Sequence, residues 1–402
     1  MTERKKMRYF KILFEIIQLL VASILCRLYK NPNDIWLINE KPDEARDNGY
    51  AFYQYLRKNF PDIKVYYVIS KESTDIYKFD NETNIVFYKS FLHFILYIKS
   101  KVLISSQTLP YPSSRKLCEA LMYLNLNKPK RIWLQHGVTK DKLPYENMAR
   151  EIFKYDLITC VSLKEANFIM KEYGYNEDQV KALGFARYDN LPIGNNNTFD
   201  ILIMPTFRKG YEIKNFSLPT DSETKHFEES VFFKTYVDLL NSEELDEYLE
   251  KSGKKAIFYL HYAFQPYAKS FSKRLMSSNV IIAERTEYDV QKLLINCELL
   301  ITDYSSVFFD FSYMKKPEIF FHFDEKEYRS NHYREGYFDY KTDGFGPVVN
   351  SKEELLTEIK EFIDNPSLLM EFNKRANNFF KYTDNNNCQR ILKEIWRINE
   401  TN

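Results

Sequence analysis

Five short segments join residue types that can move protons or hold phosphate. In Trp133-Leu-Gln135-His136-Gly137-Val138-Thr139-Lys140 an apolar run ends in a His-Gly turn. Histidine can act as a general base near neutral pH, and glycine lets a backbone approach a ligand closely. Gly184-Phe-Ala-Arg187-Tyr-Asp189 offers a guanidinium suited to bidentate phosphate recognition, although a surface salt bridge with Asp189 explains it as simply. Met204-Pro205-Thr206-Phe207-Arg208 sets a hydroxyl and a cation behind a rigid proline turn, and a plain turn is the alternative. Phe258-Tyr259-Leu260-His261-Tyr262 ends in a second histidine, with a buried, hydrogen-bonded role as the other reading. The fifth segment runs from Leu299 through Ile301-Thr-Asp-Tyr-Ser305-Ser306 to Asp310. Its serines fall where a helix should begin, so free N–H groups, the positive dipole end and two hydroxyls can cradle a diphosphate without glycine or metal. Helix capping accounts for the same serines and is compatible with phosphate binding.

These segments need elements that present them at strand ends. Apolar runs predict strands over 35–39, 64–70, 84–88, 101–106, 131–135, 156–161 and 180–183, with helices over 47–59, 90–100 and 163–173 between them. Residues 191–198, polar with Pro and Gly, read as an interdomain linker. The alternation resumes with strands over 200–204, 256–261, 280–283, 298–302 and 318–323 and helices over 231–251, 289–296, 306–314 and 352–364. The tail, 367–399, reads as helical throughout, and 209–227 reads as a loop. Such alternation implies βαβ units and parallel sheets, whose ligands sit at the carboxyl ends of the strands. Two Rossmann-like halves suggest a cleft between domains. The sequence contains no GxGxxG, GxxxxGK[ST] or GxSxG, against the usual dinucleotide oxidoreductases, P-loop NTPases and α/β-hydrolases.

Taken together, the five segments resemble the CDP-glycerol glycerophosphotransferase family, the primases and polymerases of teichoic acid. Ile301-Thr-Asp-Tyr-Ser-Ser-Val-Phe-Phe-Asp310 is the most specific part of the resemblance. It extends to Gly49-Tyr-Ala-Phe-Tyr-Gln-Tyr-Leu-Arg57, Val65-Tyr-Tyr-Val-Ile69, Gly336-Tyr-Phe-Asp339 and Gly346-Pro-Val-Val349. The resemblance, which runs from about Ile35 to the C-terminus, implies an α/β fold of GT-B type, two Rossmann-like domains facing each other across a cleft; the N-terminal amphipathic helix before them is read from the residues themselves. The corresponding domains are 1–30, 31–190 (acceptor side) and 199–402 (CDP-alditol side, with the C-terminal helices). It implies transfer of glycerol phosphate from CDP-glycerol to a hydroxyl, with release of CMP. His136 and His261 would be catalytic, and Gln135, Gly137, Val138, Thr139, Arg187, Pro205, Thr206, Tyr259, Leu260, Ser305, Ser306 and Asp310 would line the donor. No metal and no cofactor are implied. The family's first motif often reads His-Gly-x-Pro-Leu-Lys, whereas Thr139 stands here for Pro and the lysines lie at 140 and 142. That departure leaves the alditol and the acceptor open. CDP-ribitol transfer, a nucleotide-sugar glycosyltransferase of the same fold and a non-catalytic membrane scaffold are the alternatives.

The whole sequence sets outer bounds. It has 402 residues, enough for two domains, and 57 Lys and Arg against 56 Asp and Glu, which opposes a nucleic-acid binder driven by global charge. Five scattered cysteines without a CxxC pair suit reduced thiols in a cytosolic setting. Neither a metal-ligand spacing nor a signal-peptide pattern stands out. Arg4, Lys5, Lys6, Arg8 and Lys11 head an apolar stretch, 10–29, interrupted by Glu15, Gln18, Ser23 and Arg27. Ile12, Ile16, Leu19, Leu20, Ile24 and Leu28 recur at helical spacing, so a helix lying on an anionic leaflet is expected rather than a span. A first helix packed on its own domain is the plainer alternative. The expected partners are therefore CDP-glycerol, a lipid-linked saccharide or polymer acceptor, and the cytoplasmic face of a cell membrane.

Overall fold

Short runs of Ile, Val, Leu and aromatic residues, four to six long, are buried on both faces, as parallel strands covered by helices must be. The computed structural model describes residues 3–28, 34–79, 83–108, 115–124, 128–192, 200–213, 218–365 and 369–400. The chain divides into two compact units, one holding residues 1–138, 143–190 and 381–402, the other 139–142 and 191–380.

The first unit begins with α1 (Glu3–Leu28), β1 (Ile35–Asn39), α2 (Asn48–Asn59), β2 (Lys64–Ile69), β3 (Ile85–Phe87), α3 (Phe91–Lys99) and β4 (Ser100–Ser105). It continues with α4 (Arg115–Leu124), β5 (Lys130–Trp133), α5 (Arg150–Phe153), β6 (Leu157–Cys160), α6 (Leu163–Tyr173) and β7 (Val180–Ala182). All seven strands are parallel in the order β3-β2-β1-β4-β5-β6-β7. The order reverses between β1 and β4, and an open parallel sheet forms its ligand crevice at such a reversal. Helix α2 is seated by Phe52, Tyr53 and Leu56 on one face of the sheet, while Trp133, Phe153 and Tyr155 pack on the other.

The second unit runs through β8 (Ile201–Met204), α7 (Asp221–Glu228), α8 (Val231–Leu240), α9 (Glu243–Ser252), β9 (Ala256–Tyr259), α10 (Ala268–Ser272) and β10 (Val280–Ala283). It then adds α11 (Val290–Asn296), β11 (Leu299–Thr302), α12 (Phe308–Tyr313), β12 (Glu318–Phe321), α13 (Glu325–Asn331), β13 (Val348–Val349), α14 (Lys352–Asp364) and α15 (Leu369–Phe379). Its six parallel strands lie in the order β10-β9-β8-β11-β12-β13, with the reversal between β8 and β11.

Three expectations need correction. The tail is not one helix and does not all belong to the second unit: α16 (Asn387–Glu400) packs in the first. Its Ile391, Leu392 and Ile395 complete the core beneath α2, and Asp189 accepts the N–H groups of Asn387 and Cys388, each at 2.8 Å. The predicted loop 209–227 contains the start of α7, opened by a capping box between Thr220 and Glu223. The predicted helix 231–251 is broken at Asn241, which ends α8. Most of the predicted linker, 193–198, lies outside the described residues.

Helix α1 packs on the first unit along one side and exposes apolar side chains on the other. Glu15 is buried and paired with Lys89 at 2.8 Å, while Phe10, Phe14, Leu20, Ile24 and Leu28 are exposed. Among the described residues no helix is long and apolar enough to cross a membrane.

Candidate active site

In the first unit the chain leaves β1 at Glu40, whose buried carboxylate fills the amino end of α2. It accepts the N–H groups of Arg46 (2.9 Å), Asp47 (3.0 Å) and Tyr50 (2.6 Å). Burial, with the charge of Asp47 adding, pushes its pKa up to about 8 against those hydrogen bonds. The first residue of α2, Asn48, is fully buried. Its amide nitrogen donates to the carbonyls of Leu134 (3.2 Å) and Gln135 (2.7 Å), and its amide oxygen accepts the Arg187 N–H (3.0 Å). One side chain therefore fixes both the His-Gly turn after β5 and the Arg187 turn after β7.

The turn itself is strained at Gln135, which holds a left-handed φ of 56°. The Gln135 side chain is fully buried and donates to the Thr159 carbonyl (2.7 Å) and to Glu165 (3.1 Å). It braces the sheet between β5 and β6. His136, next in line, is solvent-exposed although its ring is closely surrounded. That crowding, then the cations Lys41 and Arg187, hold the imidazole below its ordinary pKa, with Glu44 and the Ser106 backbone opposing. Water still reaches the residue, so the shift is smaller than full burial would impose. Arg187 pairs with Asp47 (2.7 Å), not with Asp189, and its Nη1 also donates to the His136 carbonyl (3.2 Å). Its guanidinium lies against Phe185 and Tyr188. Gly137 is half-buried and Val138 buried.

The first motif divides after Val138, because Thr139–Lys142 belong to the second unit. There Lys142 bridges antiparallel to Arg334, and buried Lys140 pairs with Asp141, which also holds Arg329 at 2.8 Å. Burial alone would raise the Asp141 pKa, but Lys140 and Arg329 together hold it below the usual carboxylate range.

The reversal between β8 and β11 collects most of the second unit's candidates. Asp303, fully buried after β11, accepts the N–H groups of Thr206 (2.8 Å) and Tyr304 (2.6 Å). Asp303 and Asp324 take up the buried Arg208 guanidinium at 2.9 and 2.6 Å, so Arg208 is a strut and not the phosphate ligand its position suggested. The Thr206 hydroxyl is buried beside Pro205 and has no hydrogen-bond partner among the described residues. A buried unpaired hydroxyl is unfavourable unless something else meets it. Tyr304 stacks between Tyr328 (3.8 Å) and His322 (4.4 Å), which fixes the course of the chain into Ser305 and Ser306. Both serines are partly exposed, and among the described residues Ser305 Oγ accepts only the Val307 N–H, at 3.4 Å. Helix α12 starts at Phe308 and is six residues long, so its dipole is weaker than the predicted helix would supply. Asp310 is buried in its first turn.

His261 follows β9. Its Nδ1 accepts the Ala263 N–H (3.2 Å), which leaves the proton on Nε2, and its ring lies against Phe207 (4.7 Å). Tyr259 and Leu260 are buried, and Leu260 belongs to the apolar core, so its side chain does not line a ligand surface. Each unit therefore carries one candidate histidine just past the carboxyl end of a central strand. Asn48 holds the His136 turn, Asp303 holds the chain at Thr206 and Tyr304, and sequence reading missed both. Asn48 adjoins an N-cap Asp47, a signal that was legible. Among the described residues no group of His, Cys, Asp and Glu is placed to hold a metal ion.

This geometry can be set beside known proteins. The profile of the family described as CDP-Glycerol:Poly(glycerophosphate) glycerophosphotransferase matches residues 20–397. The chain belongs to that family. It is 30% identical over 406 residues to the minor teichoic acid biosynthesis protein GgaB of Bacillus subtilis (strain 168), a match spanning 98% of this chain and 43% of that protein. It is 27% identical to the teichoic acid glycerol-phosphate primase of the same organism, across 64% of this chain and 62% of the primase. The chain thus spans less than two thirds of the length of these relatives. Among solved structures the wall teichoic acid polymerase TagF superposes with a TM-score of 0.68 at 19% identity, covering 99% of this chain and 98% of that one. The UDP-GlcNAc 2-epimerase of Neisseria meningitidis reaches a TM-score of 0.54 at 13% identity, covering 90% and 99%. These two likenesses concern the fold: two parallel-sheet α/β domains.

Proposed function

We propose that this member of the glycerophosphotransferase family moves glycerol phosphate from CDP-glycerol to a hydroxyl of a lipid-linked saccharide or polyol-phosphate acceptor and releases CMP. The carrying observation is the family match over 20–397 in a chain whose two sheets each set a histidine past a strand end. The acceptor oxygen forms a bond to the β-phosphorus as the bond from that phosphorus to the bridging oxygen breaks. CMP leaves with the electron pair, and His136 takes the acceptor's proton. His261, Ser305, Ser306 and Arg187 stabilise the phosphate charge, Arg187 while sharing its guanidinium with Asp47. Gly137, Val138, Thr139, Pro205, Thr206, Tyr259 and Asp310 complete the donor site, the Thr206 hydroxyl meeting a ligand atom. Similarity to ribitol-phosphate polymerases of Staphylococcus aureus, 27% identical over about half the chain in one case, supports CDP-ribitol as the alternative donor.

The test is nucleotide release by the purified protein, given CDP-glycerol, CDP-ribitol or UDP-sugars with a membrane lipid extract. CMP from CDP-glycerol supports the proposal, and UDP from a sugar donor overturns it. The exposed apolar side of α1 supports attachment to the cytoplasmic face of a membrane. Unchanged binding to anionic vesicles after deletion of residues 1–30 would refute that placement.

A further inference from the structure

The amino end of α2 is closed by the protein's own groups. Glu40 accepts three of its N–H groups, and Asp47 caps it by accepting the Asn48 N–H at 2.7 Å. At Gly49 a Cβ would come within 2.9 Å of Glu40 Cγ and 3.1 Å of the Asn39 carbonyl oxygen, so glycine lets the first turn of α2 sit directly against the end of β1. Asn48 starts this fixed turn, and its buried amide reaches two loops that follow other strands.

The hydrogen bonds run in a closed circuit. Asn48 Nδ2 donates to the Gln135 carbonyl (2.7 Å), the next carbonyl, of His136, accepts Arg187 Nη1 (3.2 Å), and the Arg187 N–H returns to Asn48 Oδ1 (3.0 Å). Asn48 Nδ2 also donates to the Leu134 carbonyl, which the Thr159 hydroxyl of β6 shares at 3.0 Å. Gln135, the residue inside this circuit, holds a φ of 56°. A non-glycine residue keeps such a conformation only where its surroundings impose it. The shorter of the two Asn48 bonds falls on the carbonyl of this strained residue, and His136 comes next in the chain.

We propose that Asn48 is a positioning residue for the transfer reaction: it holds Gln135 in its left-handed conformation and so sets the aim of the His136 ring and its distance from Arg187. Displacement of a reacting group by 1 Å can cost ~10²-fold in rate. For its effect on turnover the inference rests on His136 acting as the base, but the placement of the ring does not depend on that role.

Two variants test it. Asn48→Asp keeps the shape of the side chain and the acceptor for the Arg187 N–H, but sets a carboxylate against the Leu134 and Gln135 carbonyls. Asn48→Ala carries no charge and leaves space for water at the freed carbonyls. In CMP release from CDP-glycerol, both should lower kcat by ~10²-fold with KM within about threefold of the native value. In a His136→Ala background the same substitutions should cost less than about threefold, because a group that acts through the ring then has nothing left to place. A full further loss in that background, a native kcat in either variant, or failure of both to fold would make the role structural and overturn the proposal. NMR titration of the His136 ring, identified by the signals that His136→Ala removes, reads placement without turnover. Crowding, Lys41 and Arg187 hold the ring's pKa low and Glu44 opposes them, so Asn48→Ala should move it toward 6.5. An unchanged titration overturns the positioning role. A shifted titration in a protein that releases no CMP overturns the reaction and leaves the positioning role standing.

Discussion

Two side chains, His136 and Thr206, carry the sharpest expectations at the residue scale. If His136 is the base, His136→Ala should lower turnover by ~10²–10⁴-fold with the fold intact. The neutral ring is the active form, and its pKa is held below the ordinary value by crowding and by Lys41 and Arg187. The acid limb of kcat/KM should therefore fall below pH 6.5, and a limb above pH 7 would contradict the assignment. Thr206→Val removes a buried hydroxyl that has no protein partner among the described residues and should cost no stability. A measured loss of CDP-glycerol affinity of about tenfold would show that the hydroxyl meets the ligand. Unchanged affinity would remove Thr206 from the site. The candidate residues were legible because each follows an apolar run. Their partners were not, because Asn48 and Asp303 act across 87 and 97 residues of sequence.

At the scale of elements, α16 shows where sequence reading stops. Its apolar periodicity predicts a helix, but nothing local says which sheet receives it. The receiving signal is Asp189, about two hundred residues earlier, which caps α16 through the backbone of Asn387 and Cys388. Asp189→Ala should therefore lower first-unit stability by about 3–6 kcal/mol, the scale of two charge-assisted hydrogen bonds. Urea unfolding would read this, and an unchanged midpoint would mean that Ile391, Leu392 and Ile395 dock the helix alone. By contrast, both strand-order reversals grow from segments whose period and length already imply parallel strands. The missed helix α7 had a readable Thr220-x-x-Glu223 start. Helix α12 was overextended because Ser305 and Ser306 make no full cap.

Across the whole molecule, buried titratable groups, histidines among them, link stability to pH. Burial lowers the His322 pKa to about 4 and that of His93 to about 3. The unfolded chain takes up these protons near pH 6.5, whereas the folded chain resists until the lowered values. Their contribution to stability should therefore be full above about pH 7 and should fall as pH drops from 6.5 toward 4, by on the order of 3 kcal/mol for His322 alone. Glu40, its pKa raised to about 8, acts in the opposite direction between pH 8 and 4.5, so the histidine contribution is read by comparison with His322→Gln. The native protein should lose more stability across this window than the variant, and equal losses would contradict the burial of the ring.

The central claim is that bond cleavage occurs at the β-phosphorus of a CDP-alditol. CDP-glycerol labelled with ³²P at the β-phosphorus, incubated with the protein and a membrane lipid extract, tests it most directly. The account predicts that the label passes to the acceptor lipid and that the released nucleotide is unlabelled CMP. Label leaving with the nucleotide as CDP would contradict it.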